Sequence, residues 1–259
     1  MAKRLAPLPG QPRPLLFAHR GLSSEAPENT MAAFRLAKDY GIPGIELDIH
    51  LTADDKVVVA HDGTTARTSP GNKLTIAQSD WEQIKILDVG AWKDPKYAGE
   101  RIPLLSELLE EHGEDFYFDI EIKSRDNTDG HLEASLARLL DDFKMDADRV
   151  VVSSFNPAML AKFKATCPRI PTAIIYCADS DVPWYLRRGE GRWIAGADFL
   201  KPKHVIPTKA RMAFGRAIGG RPVLPWTVDD PAIARRMLDI GCEGVVSNVP
   251  HKLGLRNGD

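Results

Sequence analysis

Short runs of apolar and β-branched residues recur along the chain, and between them lie segments whose apolar positions repeat with helical period. The runs predict strands at Leu15 to Ala18, Gly44 to His50, Phe116 to Ile122, Val150 to Ser153, Thr172 to Tyr176, Ala197 to Leu200, Pro222 to Trp226 and Gly244 to Ser247. Helices are predicted from "NTMAAFRLAKDYG", "PLLSELLEEHG", "HLEASLARLLDDF", "NPAMLAKFKAT", "VPWYLRRGEG", "TKARMAFGRAIGG" and "DPAIARRMLDIG", with Thr30, Asn156 and Asp230 where N-caps stand. Eight strands alternating with helices over 259 residues predict an α/β fold, a single (β/α)8 TIM barrel. The GxGxxG turn of a dinucleotide-binding sheet is absent. One stretch breaks the rhythm: after "KVVVAHD" comes polar, Gly- and Trp-containing sequence that reads as a small insertion subdomain at about residues 62–103.

Period two gives the strands their chemistry. In "GIELDIHL", Glu46, Asp48 and His50 share one face while Ile45, Leu47, Ile49 and Leu51 share the other. Asp119, Glu121 and Lys123 repeat the pattern opposite Phe118, Ile120 and Ile122. The apolar faces belong against the helices, so the charged faces look into the barrel. Buried carboxylates need a compensating cation, and an oxygen-rich set without Cys ligands suits a hard divalent ion, Mg²⁺ or Ca²⁺. The ends of the strands carry more ionisable groups: His19 and Arg20 after the first, His61 and Asp62 after the extra strand. A guanidinium and an ammonium beside such an ion, Arg20 and Lys123, make a pocket for a phosphate group, and His19 and His61 can move protons at neutral pH. Together these groups describe metal-assisted phosphodiester cleavage.

Composition narrows the partners. With 34 Lys and Arg against 36 Asp and Glu, the net charge of −2 gives no bulk attraction to nucleic acid or an anionic membrane, so anion recognition is local. Three widely spaced cysteines, Cys167, Cys177 and Cys242, suit thiols in a reducing compartment. The N-terminal stretch lacks the apolar core of a signal peptide and no long apolar run follows, so the expectation is a cytoplasmic chain without stable membrane insertion, as monomer or homodimer.

The blocks "HRGLSSEAPENTMAAFRLAKDYG", "GIELDIHLTADDKVVVAHDGTTARTS", "IPLLSELLE", "DIEIKS", "VVVSSFNP", "WTVDD" and "GCEGVVSNVP" resemble, in order, those of the glycerophosphodiester phosphodiesterase family, from about residue 14 to 252. The resemblance implies a hydrolase of lipid and glycerol metabolism on a (β/α)8 barrel with a small insertion after the second strand. It implies His19 and His61 as the catalytic pair, read as base and acid respectively, with Glu46, Asp48 and Glu121 as metal carboxylates and Arg20 and Lys123 as phosphate contacts. The implied reaction is metal-dependent hydrolysis of glycerophosphocholine, glycerophosphoethanolamine or similar diesters to glycerol 3-phosphate and an alcohol. The nucleophile is water or the adjacent glycerol hydroxyl. Two features depart from the family: Asn248 where Asp is usual, and Asp229 where Asn is frequent.

Other residues receive lesser roles. Trp226 and Phe155 are candidates to line the substrate pocket, with Tyr176 a weaker one. His50 reads as a rim residue or one that supports the ligands from behind, Asp62 as a residue that orients His61 or caps the turn, Asn29 as a helix-start residue and Glu28 as an indirect support. His112, His131, His204 and His251 read as surface positions. Two alternatives stand beside the main reading. One is a phospholipase D-type barrel acting on lysophospholipids, which needs an apolar rim from Trp81, Trp92, Trp184 or Trp193. The other is a non-catalytic phosphodiester-binding protein, whose expected mark is a missing histidine or carboxylate.

Overall fold

The computed structural model describes residues 5–123, 129–180, 182–217 and 220–255. Its parallel strands are β1 (Leu15–His19), β2 (Gly44–Leu51), β4 (Tyr117–Ile122), β5 (Val150–Ser154), β6 (Thr172–Tyr176), β7 (Phe199–Pro202) and β8 (Gly244–Ser247). They lie side by side in the order β7-β6-β5-β4-β2-β1-β8. The short β3 (Val57–Val59) pairs antiparallel with the end of β2.

Two of the expected strands differ. The one expected from Ala197 begins two residues later, at Phe199, and at its base the Asp198 carboxylate accepts from Thr172 N (2.9 Å) and Lys164 Nζ (2.7 Å). The stretch Pro222 to Trp226 forms only isolated bridges, Leu200 with Val223 and Lys203 with Trp226. Pro222 and Pro225 have no N–H to donate, which interrupts the ladder. The closure still forms. Leu224 N and Trp226 N donate to Leu200 and Pro202 on β7, while Val246 N donates to Pro225 and Val228 N to Val246 on the β8 side.

The helices are α1 (Met31–Asp39), α2 (Trp81–Ile84), α3 (Leu105–His112), α4 (His131–Asp142), α5 (Pro157–Thr166), α6 (Gly191–Ala195), α7 (Lys209–Ala217) and α8 (Pro231–Asp239). Thr30 Oγ1 accepts from Ala33 N, Asn156 from Ala158 N and Met159 N, and Asp230 from Ala232 N and Ile233 N, so all three caps carry N-terminal amides. The segment 182–191 is not one helix. A 3-10 turn at Trp184–Leu186 and a break at Gly189, whose φ is +82°, precede α6. The predicted end of α7 at Ile218 and Gly219 lies outside the described residues. No described helix is long and apolar enough to cross a membrane.

Two apolar layers position the site. Outside the strands, Ile45, Leu47, Ile49, Phe118 and Ile120 pack against helix residues such as Phe34, Leu108, Leu136 and Phe163. Each such buried side chain contributes roughly 2 kcal/mol of hydrophobic stabilisation. Inside the barrel, Leu15, Phe17, Tyr117, Val151, Ala173, Phe199, Leu224 and Val246 fill its lower part, joined by Leu8 from the segment before β1. Gly44 makes room for this floor, since a Cβ there would stand 2.0 Å from the Tyr117 ring. The charged residues begin one layer higher, toward the C-terminal ends of the strands.

Candidate active site

The register of β2 against β4 sets Glu46 beside Asp119 and Asp48 beside Glu121, while β1 sets His19 beside Glu46. All four carboxylates are at most 6% exposed. Glu46, Asp48 and Glu121 bring one oxygen each within 4.8 Å of one another. Burial, reinforced by the neighbouring Asp48, pushes the Glu46 carboxyl well above the usual carboxylate range. Burial also raises Glu121. Asp48 goes the other way: burial alone would raise it, but Lys123 and Arg20 outweigh burial and hold it ionised.

The cations that do this are close. Lys123 Nζ lies 2.9 Å from Glu121 Oε1 and 3.3 Å from Asp48 Oδ1; Arg20 Nε lies 3.3 Å from Asp48 Oδ2. Arg20 reaches inward because the backbone turns sharply at the end of β1. Arg20 adopts φ 58°, a conformation L-residues rarely hold, and Gly21 follows at φ 76°. A side chain at Gly21 would also meet Ala33 at 2.7 Å, so the His-Arg-Gly sequence matches a turn packed hard on α1. Asn29, also left-handed at φ 56°, is more than a helix-start residue: its Nδ2 donates to Asp48 Oδ2 at 2.9 Å.

Each candidate histidine has its Nδ1 engaged. His19 Nδ1 lies 2.7 Å from Asn248 Oδ1, and its Nε2 is 3.8 Å from Glu46 Oε2. Burial, with Arg20 nearby, pushes the His19 ring down to about 4. His61 Nδ1 lies 2.7 Å from Asp62 Oδ1. His50 Nε2 donates to the His61 carbonyl at 3.2 Å, so it braces the histidine loop and stands apart from the carboxylate set. Beside the cluster opens a cleft lined by Glu28, Asn29, His61, Asp62 and Arg67.

Two contributors escape a local reading of the sequence. Lys201, 1% exposed, pairs with Asp119 at 2.5 Å and donates to Ser153 Oγ at 3.0 Å. Arg67 joins Glu28 to Asp62, and Glu28 in turn pairs with Arg20 at 2.8 Å. Phe155 and Trp226 meet edge-on at 5.6 Å, and Lys123 Nζ lies 6.0 Å from the Phe155 ring. Tyr176 is instead buried in the layer under the helices, away from any lining role. His112 is not a surface residue either: it is 3% exposed, and its Nδ1 is hydrogen-bonded to Asp115 at 2.8 Å, a partner that permits its burial.

These donors fit a hard divalent cation. The set is carboxylate oxygen throughout, Asp48 Oδ1 is buried without a hydrogen bond, and among the described residues four buried carboxylates face three cations, Arg20, Lys123 and Lys201. The raised Glu46 carboxyl is the expected response of a cluster one positive charge short.

Residues 19–252 match the model of the glycerophosphoryl diester phosphodiesterase family. A glycerophosphodiester phosphodiesterase of Caldanaerobacter subterraneus subsp. tengcongensis is 36% identical over 240 residues, covering 92% of this chain and 96% of that relative. Another of that name from Bacillus subtilis is 30% identical over 258 residues, covering 92% and 84% respectively. Among solved structures, an Oleispira antarctica phosphodiesterase in complex with the product sn-glycerol-3-phosphate superposes with a TM-score of 0.82 at 28% identity, covering 93% of this chain and 95% of that one.

Proposed function

The chain belongs to the glycerophosphoryl diester phosphodiesterase family, and from that premise we propose that it hydrolyses glycerophosphodiesters to glycerol 3-phosphate and an alcohol such as choline or ethanolamine. The observation that carries this reading is the convergence of three carboxylates within 4.8 Å, flanked by Arg20, Lys123 and two histidines whose Nδ1 atoms are both engaged.

Arg20 and Lys123 bind the phosphate oxygens and orient the diester, the guanidinium through a planar fork and the ammonium as a compact charge. Water, or the glycerol hydroxyl beside the phosphate, supplies the nucleophile. His19 takes its proton at Nε2, a role supported by a ring held neutral at physiological pH. His61 gives a proton to the departing alkoxide as the phosphorus–oxygen bond breaks, and the Asp62 carboxylate at its Nδ1 fixes the direction in which the ring presents Nε2. Glu46, Asp48 and Glu121 are the residues that would hold a divalent cation, Mg²⁺ or Ca²⁺, which would neutralise charge building on the phosphate and acidify the nucleophile. Phe155 and Trp226 line the wall beside Lys123. Residues 62–103 act as a small subdomain at the mouth, and the buried thiols of Cys167, Cys177 and Cys242 suit a reducing cytoplasm.

The test is release of glycerol 3-phosphate from glycerophosphocholine and glycerophosphoethanolamine by the purified chain with Mg²⁺ or Ca²⁺, repeated with EDTA. Product that appears with the cation and vanishes with EDTA supports the reading. No product with any divalent ion rejects it, and product from lysophospholipid alone moves the activity to that substrate class.

A further inference from the structure

His19 and His61 have different partners at the same atom. His61 Nδ1 faces a carboxylate, which can only accept; His19 Nδ1 faces an amide oxygen, and an amide can present either a donor or an acceptor. What decides which end of Asn248 meets His19 lies on its far side. Asp229 Oδ2 takes the Asn248 Nδ2 hydrogen at 2.7 Å, while Asp229 Oδ1 takes the Asn248 backbone N–H at 2.8 Å and the Ser247 hydroxyl at 3.0 Å. A carboxylate offers no hydrogen, so the amide nitrogen must face Asp229 and the amide oxygen must face His19. Ser23 Oγ, which donates to the same oxygen at 3.3 Å, supports that orientation.

We infer that Asp229 is a positioning residue: through the fixed amide of Asn248 it holds His19 in the Nδ1–H tautomer, leaving the Nε2 lone pair aimed at the substrate. The inference rests on the proposed role of His19 as general base. A neutral imidazole in water favours the other tautomer, with hydrogen on Nε2, so the useful form has to be imposed by its surroundings. Neither Asp229 nor Asn248 need touch a reacting atom for this. The relay Asp229–Asn248–His19 sets proton polarity at a distance, much as second partners fix histidines elsewhere.

The isosteric change Asp229→Asn separates orientation from structure. In that variant the new amide, with its oxygen still under Ser247 and the Asn248 backbone, would point its nitrogen at the Asn248 side-chain nitrogen; relief comes when Asn248 turns and offers hydrogen to His19. The double exchange Asp229→Asn with Asn248→Asp satisfies every group again, because the amide now at position 229 donates to the carboxylate now at position 248, and that carboxylate accepts from His19 Nδ1. Ring-labelled ¹⁵N NMR of the full chain with Mg²⁺, with His19 assigned by its loss in His19→Gln, reads the tautomer directly. The expected result is Nδ1–H in the wild type, a shift to Nε2–H in Asp229→Asn and return to Nδ1–H in the exchange. In parallel, kcat should fall on the order of 100-fold in the single variant with KM nearly constant, and recover to within about tenfold in the exchange. Asp229 is exposed, so circular dichroism and melting should match the wild type. An Nε2–H ring in the wild type, or an unchanged Nδ1–H ring in Asp229→Asn, overturns the inference. A wild type that shows the Nδ1–H ring but cleaves no glycerophosphodiester rejects the functional reading and not the relay.

Discussion

Arg67 grips Glu28 with both terminal nitrogens, Nη1 to Oε2 at 2.9 Å and Nη2 to Oε1 at 2.7 Å, while its Nε reaches Asp62 at 2.7 Å. One guanidinium thereby joins the partner of Arg20 to the partner of His61. The run Arg20–Glu28–Arg67–Asp62–His61 ties the proposed phosphate contact to the proposed proton donor through alternating charges, with Trp92 under the Arg67 plane at 5.8 Å.

Replacing Arg67 should therefore hurt catalysis without unfolding the chain. Arg67→Met is expected to lower kcat/KM by about tenfold or more, and Arg67→Lys to recover little, since an ammonium cannot span two carboxylates as a planar fork does. Steady-state kinetics of both variants checks this; full activity in Arg67→Lys would mean that charge alone matters.

Cation binding should release a proton. Burial and Asp48 raise the Glu46 carboxyl well above the usual carboxylate range, and a ligand must be deprotonated, so a cation and a proton compete for this group. Titration calorimetry with Mg²⁺ in two buffers of different ionisation enthalpy should detect that proton, and affinity should rise with pH. Glu46→Gln is expected to abolish the proton release and weaken binding by about tenfold or more.

Lys201 and Asp119 should matter to stability more than to binding. Lys201→Met leaves the Asp119 carboxylate buried with only the Ser153 hydroxyl, and breaking one side of a buried pair costs about 3–5 kcal/mol. For a chain of this size the melting temperature should drop on the order of 10 °C. Differential scanning calorimetry of the metal-free protein measures it, and an unchanged melting temperature would show that the pair is dispensable.

His19 gives the pH dependence a definite sign. Its folded value near 4 lies below the ordinary 6.5, so the fold favours the neutral ring. That stabilisation is complete above about pH 6.5 and is lost as pH falls through the window toward 4, up to about 3 kcal/mol. Denaturant midpoints of the wild type should therefore decline more steeply from pH 6.5 to 4 than those of His19→Gln. The acid limb of kcat/KM should lie below pH 6.5 for the same reason.

The sequence exposes some of this arrangement and hides the rest for identifiable reasons. Alternation in β2 and β4 is a local rule, so the common face of Glu46 and Asp48, and of Asp119 and Glu121, is readable from neighbours alone. Lys201 is not readable that way, because a lysine in "FLKP" gains meaning only from Asp119, which reaches it across the barrel interior. Asn248 and Asp229 stand out in the sequence as exchanged residue types, yet their effect on His19 needs three segments brought together by the barrel. The expected strand at Pro222 to Trp226 has the right apolar content, but two prolines reduce it to bridges. His112 reads as a helix-surface residue in the sequence because its burial depends on Asp115, three residues on, beyond the end of its own helix.

The apolar floor of the barrel has a kinetic consequence. With Leu8, Phe17, Phe199 and their neighbours filling the lower half, the charged layer opens toward the strand ends. Under the proposed function, substrate, alcohol and glycerol 3-phosphate must all pass that way. Turnover in such a one-ended vessel is a queue, in which a lingering product blocks the next molecule, so glycerol 3-phosphate should inhibit by occupying the place the substrate needs.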